Sequence, residues 1–392
     1  MPQSIKGEQF PEWGTITFGD MFEEIKQKTS DTEKYPLYSL TIENGVTEKT
    51  ERYERSFLVT KNEDNYKIVP PNAFVYNPMN LRFGALAVNH TGKTVSVSQY
   101  YNVFKMKDES VLPFWENYLV MPSMLRFYFS IATGSLLEKL RVHYSDFVKV
   151  KKTLPSIEEQ RKISEFLSLY DKRIVAQATK VEALETRRKG LLQKIFSQEI
   201  RFKADGGSEF PDWESHAMGE FFTERKEKSQ GVEELLSVTI ANGVIRQADS
   251  DKRDNSSEDK SNYKRVMKGD MAYNTMRMWQ GAEGVSYWDG IVSPAYTIII
   301  PEDGVNAEFF MVLFKTFEAL KQFTIYSQGL SSDNWNLKFD TFADLEFDVP
   351  CSEEQAKIVA FFKLLDKQIQ IEKDKLEAIK QVKKGLLQQM FM

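Results

Sequence analysis

Cysteine is almost missing from this chain of 392 residues: Cys351 stands alone, which excludes an internal disulfide framework and suits a reducing cytoplasm. Histidine is nearly as scarce. His90, His143 and His216 are scattered and offer no zinc-ligand spacing, so no metal site is expected. No segment has the apolar length of a membrane span, and the start MPQSIKGEQFPEW lacks the apolar core of a signal peptide. There is no G-x-G-x-x-G, and three strings that approach catalytic motifs fail. Ala87 to Thr94 (AVNHTGKT) resembles a phosphate loop, but a β-branched run follows it where a helix N-terminus would have to hold the phosphates. Tyr76 to Asn80 (YNPMN) is similar to an amino-methyltransferase motif, and Pro211, Asp212 and Glu214 hint at a nuclease carboxylate pair. Neither survives comparison with its counterpart elsewhere in the chain. Catalytic residues: none are expected, and any chemistry comes from elsewhere.

What is present is a soluble, globular composition, 41% hydrophobic and 28% charged with a mean hydropathy of −0.44. At this length two or more domains are expected. Above all there is an internal repeat. The stretch from Pro155 to Phe196 returns from Pro350 to Phe391 at a constant offset of 195. Glu159, Gln160, Phe166, Asp171, Gly190, Leu192 and Phe196 are among the positions that meet an identical residue. Each copy predicts one long helix opened by a proline and a capping box, Ser156 with Glu159 and Ser352 with Gln355. Apolar residues at alternating three and four residue steps mark a heptad seam. It runs through Ile163, Leu167, Tyr170, Ile174, Val181, Leu184, Arg188, Leu191 and Ile195. In the second copy it runs through Ile358, Phe362, Leu365, Ile369, Glu372, Leu376, Ile379, Lys383, Leu386 and Met390. Polar residues break both copies at matching places, Gln177 and Arg188 against Glu372 and Lys383. This predicts an antiparallel coiled coil in which Arg188 faces Glu372 and Gln177 faces Lys383.

Outside the helices the repeat is weaker. Phe10, Pro11 and Trp13 return as Phe210, Pro211 and Trp213, and Tyr76 and Asn77 return as Tyr273 and Asn274. Both halves therefore share one fold with diverged surfaces. Strands are expected at Phe57 to Thr60, Ala73 to Tyr76, Leu86 to Val88, Thr94 to Ser98 and Ala295 to Ile300, and helices near Phe114 to Ile131 and Ala307 to Phe323. The fold class is α+β. Two mixed α/β globules, 1–153 and 203–348, alternate with helices at 154–202 and 349–392 in a pseudo-twofold repeat. Lys203 to Ser208 (KADGGS) reads as a Gly-Gly linker joining the first helix to the second globule.

Two diverged globules, each followed by a P-x-x-x-E-Q helix ending in K-G-L-L-Q, resemble the specificity subunit of type I restriction-modification systems over nearly the whole chain. The resemblance implies two target recognition domains on double-stranded DNA. It also implies two adenine-methyltransferase modification subunits and two ATP-dependent restriction subunits as partners. S-adenosylmethionine, ATP and magnesium would then be bound by those partners and none by this chain. The charge is awkward for a lone DNA binder. The net is −5, and the stretch from Ala204 to Val349 holds 14 Lys and Arg against 26 Asp and Glu, a net −12. A partner can supply the phosphate grip while this chain supplies base readout.

Candidate base readers are Arg82, Asn89, His90 and Lys93 in one half and Arg277, Trp279 and Gln280 in the other, on the turn after the matched Tyr-Asn strands. Arg can grip guanine and Asn or Gln adenine, although such residues can also simply cover a sheet edge. Tyr326, Gln328, Asn334 and Trp335 form a second polar loop. Partner docking is expected on an outward helix face carrying Phe166, Gly190, Leu192, Phe196, Phe361, Gly385, Leu387 and Phe391, the glycines marking either a close approach or a kink. A structural adaptor without sequence preference, and the specificity subunit of a related methyltransferase-nuclease system, remain as alternative functions.

Overall fold

The computed structural model describes residues 11–48, 65–231, 233–250, 254, 256–329 and 334–391. Two compact units make up the chain, one of residues 1–177 and 375–392 and the other of residues 178–374, so each unit owns a part of both long helices. The expected strand Phe57 to Thr60 lies outside the described residues.

In the first unit an antiparallel sheet runs in the order β1 (Phe22–Glu24), β4 (Asn102–Met106), β2 (Phe74–Tyr76), β3 (Leu86–Val88). Phe74, Val75 and Tyr76 are all buried because both faces of this sheet are covered. Phe74, Tyr76 and Phe104 face the helices α1 (Leu112–Leu119) and α2 (Pro122–Ile131) and pack with Phe22, Trp115 and Phe147. Val75 and Val103 point the other way, onto Val69, Val95 and Val97. The single helical pattern expected over Phe114 to Ile131 divides at Val120 and Met121, because Pro122 opens a new helix in the first-turn position that proline tolerates.

The second unit repeats this plan with β5 (Phe222–Glu224), β8 (Tyr296–Pro301), β6 (Met271–Asn274) and β7 (Glu283–Val285), backed by α3 (Ala307–Leu313) and α4 (Phe317–Tyr326). Met271, Tyr273 and Ile299 enter one core layer and Ala272 and Ile298 the other. In each unit the strand that leads into a long helix, Lys151–Leu154 or Glu346–Val349, pairs with the start of the same globule at Gly14–Thr17 or Glu214–Ala217.

The long helices span Ile157–Phe196 and Ser352–Met390. Ser156 caps the first, accepting from the Glu159 amide at 3.3 Å. The second cap differs from expectation, since Ser352 is already helical and Cys351 occupies the cap position. What the two copies share is a glutamine lock: the side-chain amides of Gln160 and Gln355 each donate back to the carbonyl of Pro155 or Pro350 at 2.9 Å. Every seam residue is buried or half-buried, as the heptad pattern requires.

The register differs from the expected one. Within the first unit Lys383 pairs with Asp171 at 2.6 Å, and within the second Arg188 grips Asp366 with two nitrogens. Glu372, expected opposite Arg188, instead receives Lys180 at 3.0 Å. Paired positions sum to 554 for Lys383 with Asp171 and for Arg188 with Asp366, in place of 560. The physical reason is charge balance. The expected register left Lys383 against Gln177, whereas the observed one gives each basic break a carboxylate, and Asp171 and Asp366 are themselves repeat equivalents.

Two further findings bear on the linker and on the helix face expected to be outward. Lys203 to Ser208 is a closed turn, with the Ala204 amide donating to the Ser208 carbonyl at 2.9 Å, and Lys357 pins it through the Lys203 carbonyl at 2.7 Å and Asp205 at 2.6 Å. Leu192 and Phe196 do not face outward; Leu192 is a core residue of the second unit, and Phe196 packs on Trp213 and Phe309. Likewise Phe391 packs on Trp13, Phe114 and Tyr118 in the first unit, and Phe361 packs on Phe202. These apolar groups seat the helix ends on the globules, and burying aromatic area there outweighs leaving it in water. Phe166 packs on Tyr170 and is half-buried, as is Leu387. Gly190 and Gly385 remain open, and a Cβ on either would meet nothing within 4 Å.

Candidate nucleic-acid interface

One turn and one loop converge at the same end of the sheet in both units. In the first unit the turn from β2 to β3 is shaped by Asn77, whose side chain accepts from the Met79 amide at 3.0 Å, and by Gly84 in the left-handed region (φ 96°). Alongside it lies a loop closed by the pairing of Thr133 with Arg141 and tied to the turn by the Val142 amide on the Pro78 carbonyl at 3.0 Å. The second unit repeats each device. Asn274 accepts from Met276 at 3.0 Å, Gly281 is left-handed (φ 79°), Gln328 pairs with Asn336, and the Leu337 amide reaches the Thr275 carbonyl at 2.9 Å.

The side chains on this common frame differ. Arg82 lies over the rings of Phe83 at 4.7 Å and Phe129 at 5.7 Å, and its Nε and Nη1 are buried without a hydrogen-bond partner. Phe83 is 54% and Phe129 51% exposed, so this cation-aromatic stack faces water. Trp279 occupies the Arg82 position in the second unit; its indole donates to the Met276 carbonyl at 3.1 Å and its ring meets Trp335 edge-on at 5.3 Å. Arg277 and Gln280 flank it half-buried, and Tyr326 at the end of α4 is exposed, as are Gln328 and Asn334 on the loop that follows. The two polar segments singled out separately in the second half are thus one surface. Phe83 and Phe129 are not legible in the sequence because exposed phenylalanine carries no periodic signal; Trp279, on the same turn of the other half, was the available hint.

Asn89, His90 and Lys93 do not join Arg82. They occupy the next turn, at the far end of β3, since Leu86 pairs with Tyr76 and Val88 with Phe74. Asn89 is wholly buried, donating to the carbonyls of Val69, Pro70 and Lys93 at 2.9 to 3.1 Å and accepting from Thr91. It builds the turn and cannot present an amide to a base. His90 is exposed and bonds Glu116 at 2.7 Å, a contact that raises its pKa, while Lys93 is exposed. That turn continues into the strand Val95–Val97, consistent with rejection of the phosphate-loop reading.

Among the described residues no group of His, Cys, Asp and Glu is placed to hold a metal ion, and no helix is long and apolar enough to cross a membrane. The family model for the type I restriction modification DNA specificity domain matches residues 11–186 and 249–381. The chain is similar in fold to the type I restriction-modification system S subunit from M. genitalium, with 15% identity, a TM-score of 0.51, and coverage of 97% of this chain and 96% of that one. It is also similar to a chain solved in work on complex assembly and conformational transition of the type I R-M system, with 13% identity, a TM-score of 0.55, and coverage of 98% and 99%. A family match over two copies, together with two globules that carry one recognition frame under different side chains, places this chain in the type I restriction-modification DNA specificity family, as a specificity subunit.

Proposed function

We propose that this chain reads a bipartite, asymmetric site on double-stranded DNA and holds two modification subunits, adenine methyltransferases that bind S-adenosylmethionine. Two restriction subunits using ATP and magnesium join them. The family is non-catalytic and its known role is DNA recognition and complex assembly; the finer assignment is ours. The observation that carries it is the pair of equivalent faces with unlike chemistry, Arg82 between two phenylalanines in one unit and Trp279 against Trp335 in the other. A guanidinium can donate to guanine in a major groove, here from Nη2 since Nε and Nη1 are buried, while exposed aromatic rings contact thymine methyls or wedge between base steps. Two unlike readers call for two unlike half-sites.

The acidic second globule fits a division of labour in which the partners grip phosphate. The long helices act as the ruler. A 40-residue helix is roughly 60 Å long, enough to hold half-sites about one or more duplex turns apart at roughly 34 Å per turn. Partner subunits dock on the open helix faces at Gly190 and Gly385, where the backbone is bare. The test is methylation mapping after exchange of the first globule for that of a relative. One half-site should change while the other half-site and the spacer persist. A change in both halves overturns the proposal, and sequence-independent binding favours the structural adaptor.

A further inference from the structure

The two globule-helix junctions differ in one charge. In the second unit Glu354 is fully buried at the start of the long helix, and Arg201 holds it from Nε at 3.3 Å and Nη2 at 2.7 Å. The Trp213 indole donates to the same carboxylate at 3.1 Å, and Nη2 of Arg201 also reaches the Pro211 carbonyl at 2.6 Å. In the first unit the counterparts are Glu159, Trp13 and Pro11. Glu159 is only 7% exposed, Trp13 donates to its Oε1 at 3.4 Å, and its Oε2 is buried with no hydrogen-bond partner. Burial pushes this carboxyl above its ordinary pKa, and no cation among the described residues pairs with it. An orphaned carboxylate oxygen in a buried site is costly until a donor reaches it.

We infer that Glu159 and Trp13 form a guanidinium-binding site that accepts the arginine of an extended peptide segment, as Glu354 and Trp213 accept Arg201. A planar fork fits a carboxylate with both oxygens to satisfy, and a lysine point charge fits it less well. The approach is also mirrored. Phe196 packs on Trp213 with ring centroids 5.8 Å apart, five residues before Arg201, and Phe391 packs on Trp13 at 6.1 Å. An arginine-bearing segment running on from that ring has the same path to the carboxylate.

The test extends the chain after Met392, which stands at the position of Ser197, with the sequence of Gln198 to Phe202, so that an arginine stands five residues past Phe391. Relative to the same extension carrying alanine for that arginine, the melting midpoint of the full chain should rise by roughly 3 to 10 °C. Lysine in that place should recover a smaller part, and Glu159→Gln should abolish the gain. Equal melting of the arginine and alanine extensions overturns the inference, as does a gain that survives Glu159→Gln. So does a loss on Glu159→Gln in the unextended chain as large as that from Glu354→Gln, which would mean that Glu159 is already paired.

Discussion

Lys315→Met should destabilise the second unit far more than replacing both members of its ion pair. Glu283 on β7 is 1% exposed, and the Lys315 ammonium sits 3.1 Å from its Oε1 without hydrogen-bond alignment, because that ammonium also donates to the carbonyls of Gly281 at 2.5 Å and Ile240 at 3.2 Å. The equivalent positions in the first unit are Leu86 and Val120. Removing the cation alone leaves a buried, unpaired carboxylate, at a cost of roughly 3 to 5 kcal/mol, or roughly 6 to 20 °C in midpoint for a unit of this size. The double change Glu283→Leu with Lys315→Val imports the apolar solution. Its gain of about 1 to 4 kcal/mol is offset by the two lost carbonyl contacts at about 1 kcal/mol each, so it should melt within a few degrees of the parent.

The pair also predicts a pH dependence. Burial pushes the Glu283 carboxyl up to about 7, against the nearby Lys315 that pulls it down. Between its ordinary value near 4.5 and about 7 the folded state holds a proton that the unfolded chain has released. Its contribution to stability is therefore complete below that window and is lost as pH rises through 7. The other charges around the same cavity are paired, Glu308 with Lys363 and Asp366 with Arg188. Thermal melts at pH 5, 6, 7 and 8 should therefore show a steeper fall for the parent than for the double variant. A double variant as unstable as Lys315→Met, or the same pH profile for both proteins, refutes the reasoning.

The coiled-coil register predicts that Asp171→Lys costs about 0.2 to 1 kcal/mol, the range for a partly exposed pair, and that Lys383→Asp in the same chain restores it. No coupling in a double-mutant cycle read by thermal melts sinks the register. Gly190→Ala with Gly385→Ala should stabilise the chain by about 1 kcal/mol per site, since the added Cβ meets nothing. Tryptophan at both positions should leave the fold intact but weaken assembly with the modification subunit; unchanged co-elution on size exclusion contradicts the docking face. Arg82→Ala should relax the preference at one half-site only, read by methylation mapping, with an expected loss of about 1 to 3 kcal/mol of discrimination. Equal loss at both half-sites counts against Arg82 as a reader.

Much of this protein was legible as pattern. The offset of 195, the seam and the strands at β2, β3 and β8 follow from local spacing, because periodicity reports which face of an element is buried. Spacing does not report what does the burying. Leu192, Phe196 and Phe391 carry the same apolar signal whether they meet a partner or a globule, and only the packed structure assigns them to Trp213, Phe309 and Trp13. Asn89 illustrates the same limit for polar groups. Its amide suits base readout or turn building equally, and its carbonyl partners, Lys93 in the same turn and Val69 and Pro70 on the neighbouring strand end, decide for the turn. The helix register was open for a related reason: heptads tolerate sliding, and the charged pairs Lys383 with Asp171 and Arg188 with Asp366 select one alignment by long-range contact. The sequence alone thus determined that the chain is a doubled recognition module on two long amphipathic helices. Tertiary structure decided which side chains remain exposed, because exposure depends on packing between residues that no local spacing connects.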